Sequence, residues 1–136
     1  MAELEKVREV FRNDRFATAT GIEIMEAEKG HAKCRLVLEE VHRNANGAVM
    51  GGVLFTMADF CCAVASNTDL PSTVSVEGNM KFISSSRGST LFAECTAEKI
   101  GRTLSFYKVR ITDDLDKLIA TSEFTSMCIG TDSLTK

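Results

Sequence analysis

The first fifty residues are patterned as a short helix, a β-hairpin and a loop. Leu4, Val7 and Phe11 recur at helical spacing, so we expect an amphipathic helix over about residues 3–12. Apolar and polar residues then alternate on both sides of a turn that contains Gly30, which is typical of a hairpin. The stretch that follows the hairpin shows neither the helical nor the strand spacing of apolar residues, and it is expected to form a loop.

A long apolar stretch predicts the central element of the fold, a helix over residues 51–66. At about 100° per residue, its apolar side chains cover nearly the whole circumference. Asp59 is the only charged residue between Asn44 and Thr68. A helix that is apolar all round is expected to be buried all round.

In the second half of the chain apolar and polar residues alternate again, and this pattern predicts four β-strands. Their short connections favour antiparallel pairing. They are expected at about residues 74–82, 91–99, 103–112 and 118–128. In the first strand, one face is expected to carry Val74, Val76, Gly78, Met80 and Phe82, and the other face Ser75, Glu77, Asn79 and Lys81.

This order of elements is typical of the α+β class. An antiparallel sheet of about six strands, wrapped around one long central helix, would bury the apolar surface of that helix. The chain has 136 residues, so we expect a single domain over residues 1–136.

Charge and hydropathy argue against two classes of partner. The chain has 16 basic and 19 acidic side chains and a net charge of −3, whereas general nucleic-acid binders carry a basic surplus. Residues 47–65 are nearly all apolar, but a glycine pair and the central Asp59 argue against a transmembrane helix. We therefore expect neither a nucleic-acid partner nor a membrane partner.

Cysteine and histidine usage argues against a disulfide framework or a metal centre. There are five cysteines, without a Cys-x-x-Cys pair, and only two histidines. The N-terminal residues lack the apolar core of a secretion signal. We expect a cytoplasmic protein that binds no metal and whose cysteines serve as small core residues.

Asp59 is the first candidate for chemistry. A carboxylate among apolar side chains is costly, and desolvation raises its pKa, which suits a general base or a nucleophile. An aspartate on an exposed ridge, or one that is hydrogen-bonded locally, would explain the same residue without any chemistry.

Gly51 and Gly52 stand at the predicted start of the central helix. Without side chains there, a ligand oxygen can approach the free N–H groups of the first turn, as in an oxyanion hole. Two glycines that only permit close packing are the plain alternative. Gly51 and Asp59 lie about 12 Å apart along a helix, so one carbonyl cannot touch both groups of one chain. If both act on one substrate, two chains must form the site in a dimer whose central helices run roughly antiparallel.

The residues at the helix start resemble the signature of hotdog-fold acyl-CoA thioesterases. Residues 42–52 read HRNANGAVMGG, and Asp59 follows. The phenylacetate-pathway thioesterase subfamily has the similar pattern His-x-Asn-x-x-Gly-x-x-His-Gly-Gly, with an aspartate seven residues further on. The resemblance extends over about residues 21–128 and includes the Ser75 region and the turn 101–104. It implies a hotdog fold, an acyl-CoA substrate, no separate cofactor, and a homodimer that often pairs again into a homotetramer.

The resemblance also implies catalytic roles for four residues. The Gly51 N–H would polarise the thioester carbonyl, and Asp59 of the partner chain would activate water or attack the carbonyl. Asn44 would help to hold the carbonyl or the water, and Ser75 would help to place the water near Asp59. An asparagine in a turn and a serine on a polar strand face are the plain alternatives.

Residues that could contact substrate surround this set. Residues 79–110 carry six basic and two acidic side chains, which suits a ligand with several phosphates on one side of the protein. Arg87 and Arg102 are preferred because both lie in turns, although solvated charges on outward strand faces would give the same count. Phe60, with Phe55 and Met57, is a candidate for the acyl wall. The substrate-binding candidates are His42, Met50, Gly52, Phe60, Ser84, Arg87, Arg102 and Thr103.

Met50 departs from the pattern, because the subfamily has a histidine at this position. A methionine cannot donate a hydrogen bond or carry charge, so we expect an altered rate or acyl preference. The departure also favours a second hypothesis, an acyl-CoA-binding or sensing protein on the same fold without turnover. A hydratase or dehydratase is the third hypothesis, and it ranks lower because such enzymes pair a catalytic histidine with an acid.

Overall fold

A six-stranded antiparallel sheet surrounds one long helix in the computed structural model, which describes residues 3–136. The elements are α1 (Leu4–Phe11), α2 (Arg15–Ala19), β1 (Glu23–Glu28), β2 (His31–Val37), a 3₁₀ turn (Glu40–His42), α3 (Gly51–Asn67), β3 (Thr73–Phe82), β4 (Thr90–Ile100), β5 (Leu104–Asp113) and β6 (Leu118–Cys128). The strands lie in the order β1-β2-β4-β5-β6-β3, and the long helix α3 contacts every one of them.

The predicted architecture is confirmed in its main elements. The central helix and the four later strands begin and end within one residue of the predicted bounds. The sequence did not predict α2, which is a single short helix between α1 and the hairpin. No helix within residues 3–136 is both long enough and apolar enough to cross a membrane.

The α3 helix is buried on the side that faces the sheet but not all round. Its inner side chains fill the core beneath the strands, and α1 covers part of its other side through an edge-to-face contact of Phe11 with Phe60, whose ring centroids are 5.9 Å apart. The expectation of complete burial is wrong for the single chain. A stripe of α3 stays open to solvent or only half covered, and it consists of Gly52, Phe55, Thr56, Asp59 and Ala63.

A β-bulge in the edge strand β3 changes which face its first residues occupy. Ser75 pairs with Ser126, and the next pair is Glu77 with Thr125. Between these pairs β3 advances by two residues while β6 advances by one. Ser75 pairs with the buried Ser126 and lies on the helix side, whereas Val74 pairs with Met127 on the outer side. The predicted faces are therefore correct from Glu77 onward and reversed at Val74 and Ser75.

Two carboxylates tie the loop after β3 to the turn between β5 and β6. Asp113 is 2% exposed and accepts a hydrogen bond of 2.7 Å from the Ser86 hydroxyl, and bonds of 3.0 Å from the N–H groups of Leu115 and Lys117. Burial alone would raise the pKa of Asp113, but these hydrogen bonds outweigh it and lower the pKa below its usual value. The exposed Asp114 accepts from the N–H and hydroxyl of Ser89.

Replacing Asp113 should therefore destabilise the fold more than replacing its neighbour. We expect Asp113→Ala to lower the free energy of unfolding by about 2–4 kcal/mol at pH 7, because buried donors lose a charged acceptor. The matched control Asp114→Ala should cost less, since water replaces the lost carboxylate. The difference between wild type and Asp113→Ala should shrink as the pH falls from about 4 through the lowered pKa of Asp113, because the unfolded chain takes up a proton before the folded chain does. Urea titrations measure both variants, and equal losses would contradict this assignment.

Candidate functional site

The first cavity lies at the start of α3 and has a volume of about 340 Å³. We call it the Gly51 cavity. No side chain caps the helix there, so the first N–H groups of α3 are available to a ligand. The helix dipole adds positive potential at this end. The cavity is lined in part by Asn44, Gly51, Leu54, Phe82, Ser84 and Ser86.

Asn44 adds a second donor to the Gly51 cavity. Its Oδ1 accepts hydrogen bonds from the N–H groups of Asn46 at 3.0 Å and Ala48 at 3.2 Å. These bonds fix the orientation of the amide, and its Nδ2 has no hydrogen-bond partner within the described residues. The predicted pair of Asn44 and Gly51 is therefore brought together, with two N–H donors at one cavity.

Close packing at the helix start explains why both of its first residues are glycines. A Cβ on Gly51 would lie 3.1 Å from the Phe82 ring, and a Cβ on Gly52 would lie 3.1 Å from the Met50 terminal methyl. Met50 thus lies against Gly52, at the position predicted to contact substrate. The sequence predicts only the strand face on which Phe82 lies. No local pattern could reveal that the end of β3 reaches the start of α3.

The second cavity lies halfway along α3 and has a volume of about 310 Å³. We call it the Asp59 cavity. One wall comes from α3, with Phe55, Thr56, Asp59, Phe60 and Ala63, and the opposite wall comes from residues 14–17 of α2 and its N-terminal flank. No residue lines both cavities. One chain therefore holds the candidate oxyanion donors and the candidate carboxylate in separate places.

The surroundings of Asp59 favour a carboxylate that binds a proton readily. Burial raises the pKa of Asp59 above its usual value of 3.8, and the negative charge of Asp14 raises it further. Burial also raises the pKa of Asp14. Arg15 is the one basic side chain that lines the same cavity. Sequence reasoning missed Asp14, because it lies 45 positions from Asp59 and belongs to no motif.

His42 does not reach either cavity, contrary to its predicted contact with substrate. The side chain is 1% exposed, and both ring nitrogens are used. Nδ1 accepts from the Glu39 N–H at 2.9 Å, and Nε2 donates to the Thr20 carbonyl at 2.8 Å. His42 thus joins the end of α2 to the loop that leads into α3. In the single chain the His42 ring is committed to backbone groups and is not open to a ligand.

The preferred basic residues lie at opposite ends of the sheet. Arg87 follows β3, near the start of α3, whereas Arg102 and Thr103 lie in the turn between β4 and β5. This turn is near the end of α3, because Gly30 packs against Ile100 and donates its N–H to the Ala65 carbonyl. The intervening β4 spans about 33 Å. The expectation of one basic side is therefore wrong for the single chain.

The remaining predicted residues fall in three places. Ser84 lines the Gly51 cavity, Phe60 lines the Asp59 cavity, and Ser75 lies on the exposed edge strand. Met57 is fully buried and lines neither cavity. Three other basic residues of the segment 79–110 line a cavity on the outer face of the sheet, together with Glu94 and Glu123, and they are Lys81, Lys108 and Arg110. Within residues 3–136 no group of three or more histidine, cysteine or acidic side chains is arranged to hold a metal ion.

A family model and several known proteins match this sequence. The sequence profile of the family described as Thioesterase superfamily matches residues 46–120, which include both Gly51 and Asp59. The 1,4-dihydroxy-2-naphthoyl-CoA hydrolase of Listeria monocytogenes is 30% identical over 109 residues, covering 77% of this chain and 88% of that protein. The acyl-coenzyme A thioesterase PaaI of Escherichia coli is 27% identical over 122 residues, covering 89% and 87%.

A solved structure extends the likeness to the whole fold. The structure of the E. coli PaaI protein from the phenylacetic acid degradation operon superposes with a TM-score of 0.87 at 25% identity. The match covers 94% of this chain and 96% of that one. The predicted hotdog fold and the predicted resemblance to the phenylacetate-pathway subfamily are both confirmed.

The pKa of Asp59 provides a test of the Asp59 cavity. We expect its carboxyl to titrate above 3.8, and Asp14→Asn to lower that pKa without restoring it, because burial is the larger cause. The matched control Asp116→Asn, in the distant β5–β6 turn, should leave it unchanged. Carboxyl carbon NMR measures all three proteins, and an Asp59 that titrates at its ordinary value would contradict the assignment.

A raised pKa also has a consequence for stability. The folded chain holds the Asp59 proton more tightly than the unfolded chain does, so ionisation of Asp59 lowers the free energy of unfolding as the pH rises. We expect Asp59→Asn to melt at a higher temperature than wild type at pH 7, and the difference to disappear as the pH falls below the unfolded value of about 3.9. Calorimetry across this range measures both, and a lower melting temperature for Asp59→Asn at pH 7 would contradict the expectation.

Proposed function

Because the chain belongs to the thioesterase superfamily, we propose that it hydrolyses an acyl-CoA thioester to a free acid and coenzyme A. The observation that carries the proposal is the pairing of uncapped N–H donors at Gly51 with a partly desolvated carboxylate at Asp59 on one helix. The names of the similar proteins support this reaction class. The reaction requires water and no separate cofactor.

Each proposed site takes Gly51 from one chain and Asp59 from its partner. Asp59 either removes a proton from the water that attacks the thioester carbonyl or attacks the carbonyl itself. The Gly51 N–H stabilises the negative charge that develops on the carbonyl oxygen. The C–S bond then breaks, and the thiolate of coenzyme A leaves and takes up a proton. In the nucleophilic route, water afterwards cleaves the acyl-aspartyl anhydride.

Two exposed features of the chain favour a homodimer of this kind. The edge strand β3 has an unpaired side and carries exposed apolar side chains, including Val76 and Phe82. An edge of this length and composition is a template for pairing with another strand. The open stripe of α3 lies beside it and contains Phe55 and Asp59. Pairing of two β3 strands around a two-fold axis would bring the two stripes together.

The same symmetry would bring the preferred basic residues to one place. In antiparallel helices the start of one lies beside the end of the other. Arg102 and Thr103 of the partner would then approach the Gly51 cavity and Arg87 of the first chain. We propose that this combined patch holds the phosphates of coenzyme A, with Ser84 at the cavity wall.

Asn44 and Ser75 complete the proposed machinery. The free Nδ2 of Asn44 is suited to hold the carbonyl oxygen or the water, next to the Gly51 N–H. The bulge in β3 directs Ser75 to the helix side, which is the orientation needed to place a water near the Asp59 of a partner.

A second pairing of dimers would give the tetramer that the resemblance implies. The outer face of the sheet has an apolar patch next to the β3 edge. Its side chains are between 37% and 43% exposed, and they are Val74, Leu104, Phe106 and Met127. This patch is the surface that we assign to such a contact.

Met50 favours one alternative, an acyl-CoA-binding or sensing protein without turnover. Its side chain lies against Gly52 and gives the start of the helix an apolar neighbour in place of a hydrogen-bond donor. A sensor would bind acyl-CoA tightly and release no thiol. The hydrolysis assay therefore separates the two functions.

The decisive variants remove one reacting group at a time. Asp59→Asn should lower kcat by at least about a hundredfold, because it removes the base or nucleophile. Gly51→Pro should lower kcat by a similar factor, because it removes one N–H, while proline is well accommodated at the first helical position. Thiol release from short-chain, medium-chain, benzoyl and phenylacetyl thioesters of coenzyme A measures both variants against wild type.

Gly51→Ala is the matched control for the proline variant. It adds a Cβ at the same place beside Phe82 but keeps the N–H, so its kcat should exceed that of Gly51→Pro by at least about tenfold. Hydrolysis that survives in Asp59→Asn would overturn the proposed mechanism. Tight binding without thiol release by wild type would replace hydrolysis with the sensor function.

A further inference from the structure

Phe16 is the most exposed large apolar side chain within residues 3–136, with 78% of its surface open to solvent. It belongs to α2, which the sequence pattern did not predict, and it lines the Asp59 cavity. Phe55 and Phe60 line the same cavity from α3. Three aromatic side chains therefore surround the space beside the carboxylate, and Phe16 is the one with an open face.

The helix that carries Phe16 is fixed to the rest of the fold. Ala17 is 6% exposed, and its carbonyl accepts a hydrogen bond of 3.2 Å from the Ile22 N–H. At the end of α2, the Thr20 carbonyl accepts a hydrogen bond of 2.8 Å from His42. The backbone that carries Phe16 is thus fixed at the wall of the Asp59 cavity by buried contacts of its own helix. A side chain on an anchored helix can act as a wall of a cavity.

The lining of the Asp59 cavity has a polar part and an apolar part. Asp14, Arg15 and Asp59 supply the polar groups, and the aromatic rings supply the rest. A thioester carbonyl that reaches Asp59 must direct its acyl chain away from coenzyme A. An acetyl group ends one carbon beyond the carbonyl, whereas a longer chain continues along the aromatic rings.

We propose that Phe16 is a specificity-determining residue that forms the outer wall of the acyl cavity and favours apolar acyl groups longer than acetyl. This inference rests on the proposed function, because it takes an acyl-CoA as the ligand. Covering about half of an exposed phenylalanine ring with an apolar chain corresponds to roughly a tenfold gain in affinity.

Thioether analogues of coenzyme A test this wall without any catalysis, because they cannot be hydrolysed. S-methyl-CoA and S-hexyl-CoA are titrated by calorimetry into wild type and Phe16→Ala. We expect wild type to bind S-hexyl-CoA more tightly than S-methyl-CoA, and Phe16→Ala to reduce that preference about tenfold. The affinity for S-methyl-CoA should stay within a factor of about two.

Two further variants separate the wall from general effects. Phe16→Tyr keeps the ring and should keep the preference. Val41→Ala removes another strongly exposed apolar side chain that lines neither cavity, and it should bind both analogues like wild type. Light scattering after gel filtration checks that Phe16→Ala keeps the oligomeric state of wild type.

The inference and the proposed function fail in different ways. An unchanged preference for S-hexyl-CoA in Phe16→Ala, equal loss of affinity for both analogues, or dissociation of the assembly would each overturn the role of Phe16. So would a wild type that binds neither analogue. If wild type shows the Phe16-dependent preference but releases no thiol from any thioester, the acyl wall stands and hydrolysis is overturned.

Discussion

A rigid α-helix sets the distance between the two groups on which the proposed chemistry depends. Gly51 is the first residue of α3 and Asp59 lies in its middle, which puts them about 12 Å apart along the axis. No loop movement can shorten that distance while the helix persists. The two groups also open into separate cavities. If one thioester carbonyl meets both, the second group must come from another copy of the chain.

Several features that are costly in a single chain become useful in such an assembly. The start of α3 is uncapped, the Asp59 carboxylate is partly desolvated, and the long edge of β3 carries apolar side chains. Each leaves polar or apolar groups without a suitable partner. A two-fold contact through β3 would cover the apolar edge and bring substrate oxygen to the free N–H groups. Stability is thus sacrificed at the positions where the chemistry is proposed.

The sequence predicts the helices and strands whose bounds depend on apolar periodicity. It does not predict side-chain positions that depend on contacts between distant segments of the chain. The bounds of α3 and the four later strands follow from apolar spacing, and Gly51 and Asp59 follow from their contrast with it. The bulge near Ser75 inserts one residue into an otherwise regular alternation, so the faces of its first residues were assigned wrongly.

The other misses have the same physical origin. Asp14 and Phe16 reach the Asp59 cavity only because α2 folds back on α3, and α2 is too short to show a period. His42 belongs to the family pattern, but its ring is committed to backbone groups of Glu39 and Thr20. Residue type and spacing cannot distinguish a histidine that binds substrate from one that anchors a loop, because that depends on burial.

The central claim is that one active site combines residues of two chains, and mixed dimers test it most directly. Gly51→Pro and Asp59→Asn chains with different affinity tags are refolded together, and the dimers that carry both tags are isolated. In such a dimer one site has both defects and the other has none, so it should have about half the activity of wild type, whereas each parent variant has almost none. Isolated mixed dimers that are as inactive as their parents would contradict the account and return both groups to a single chain.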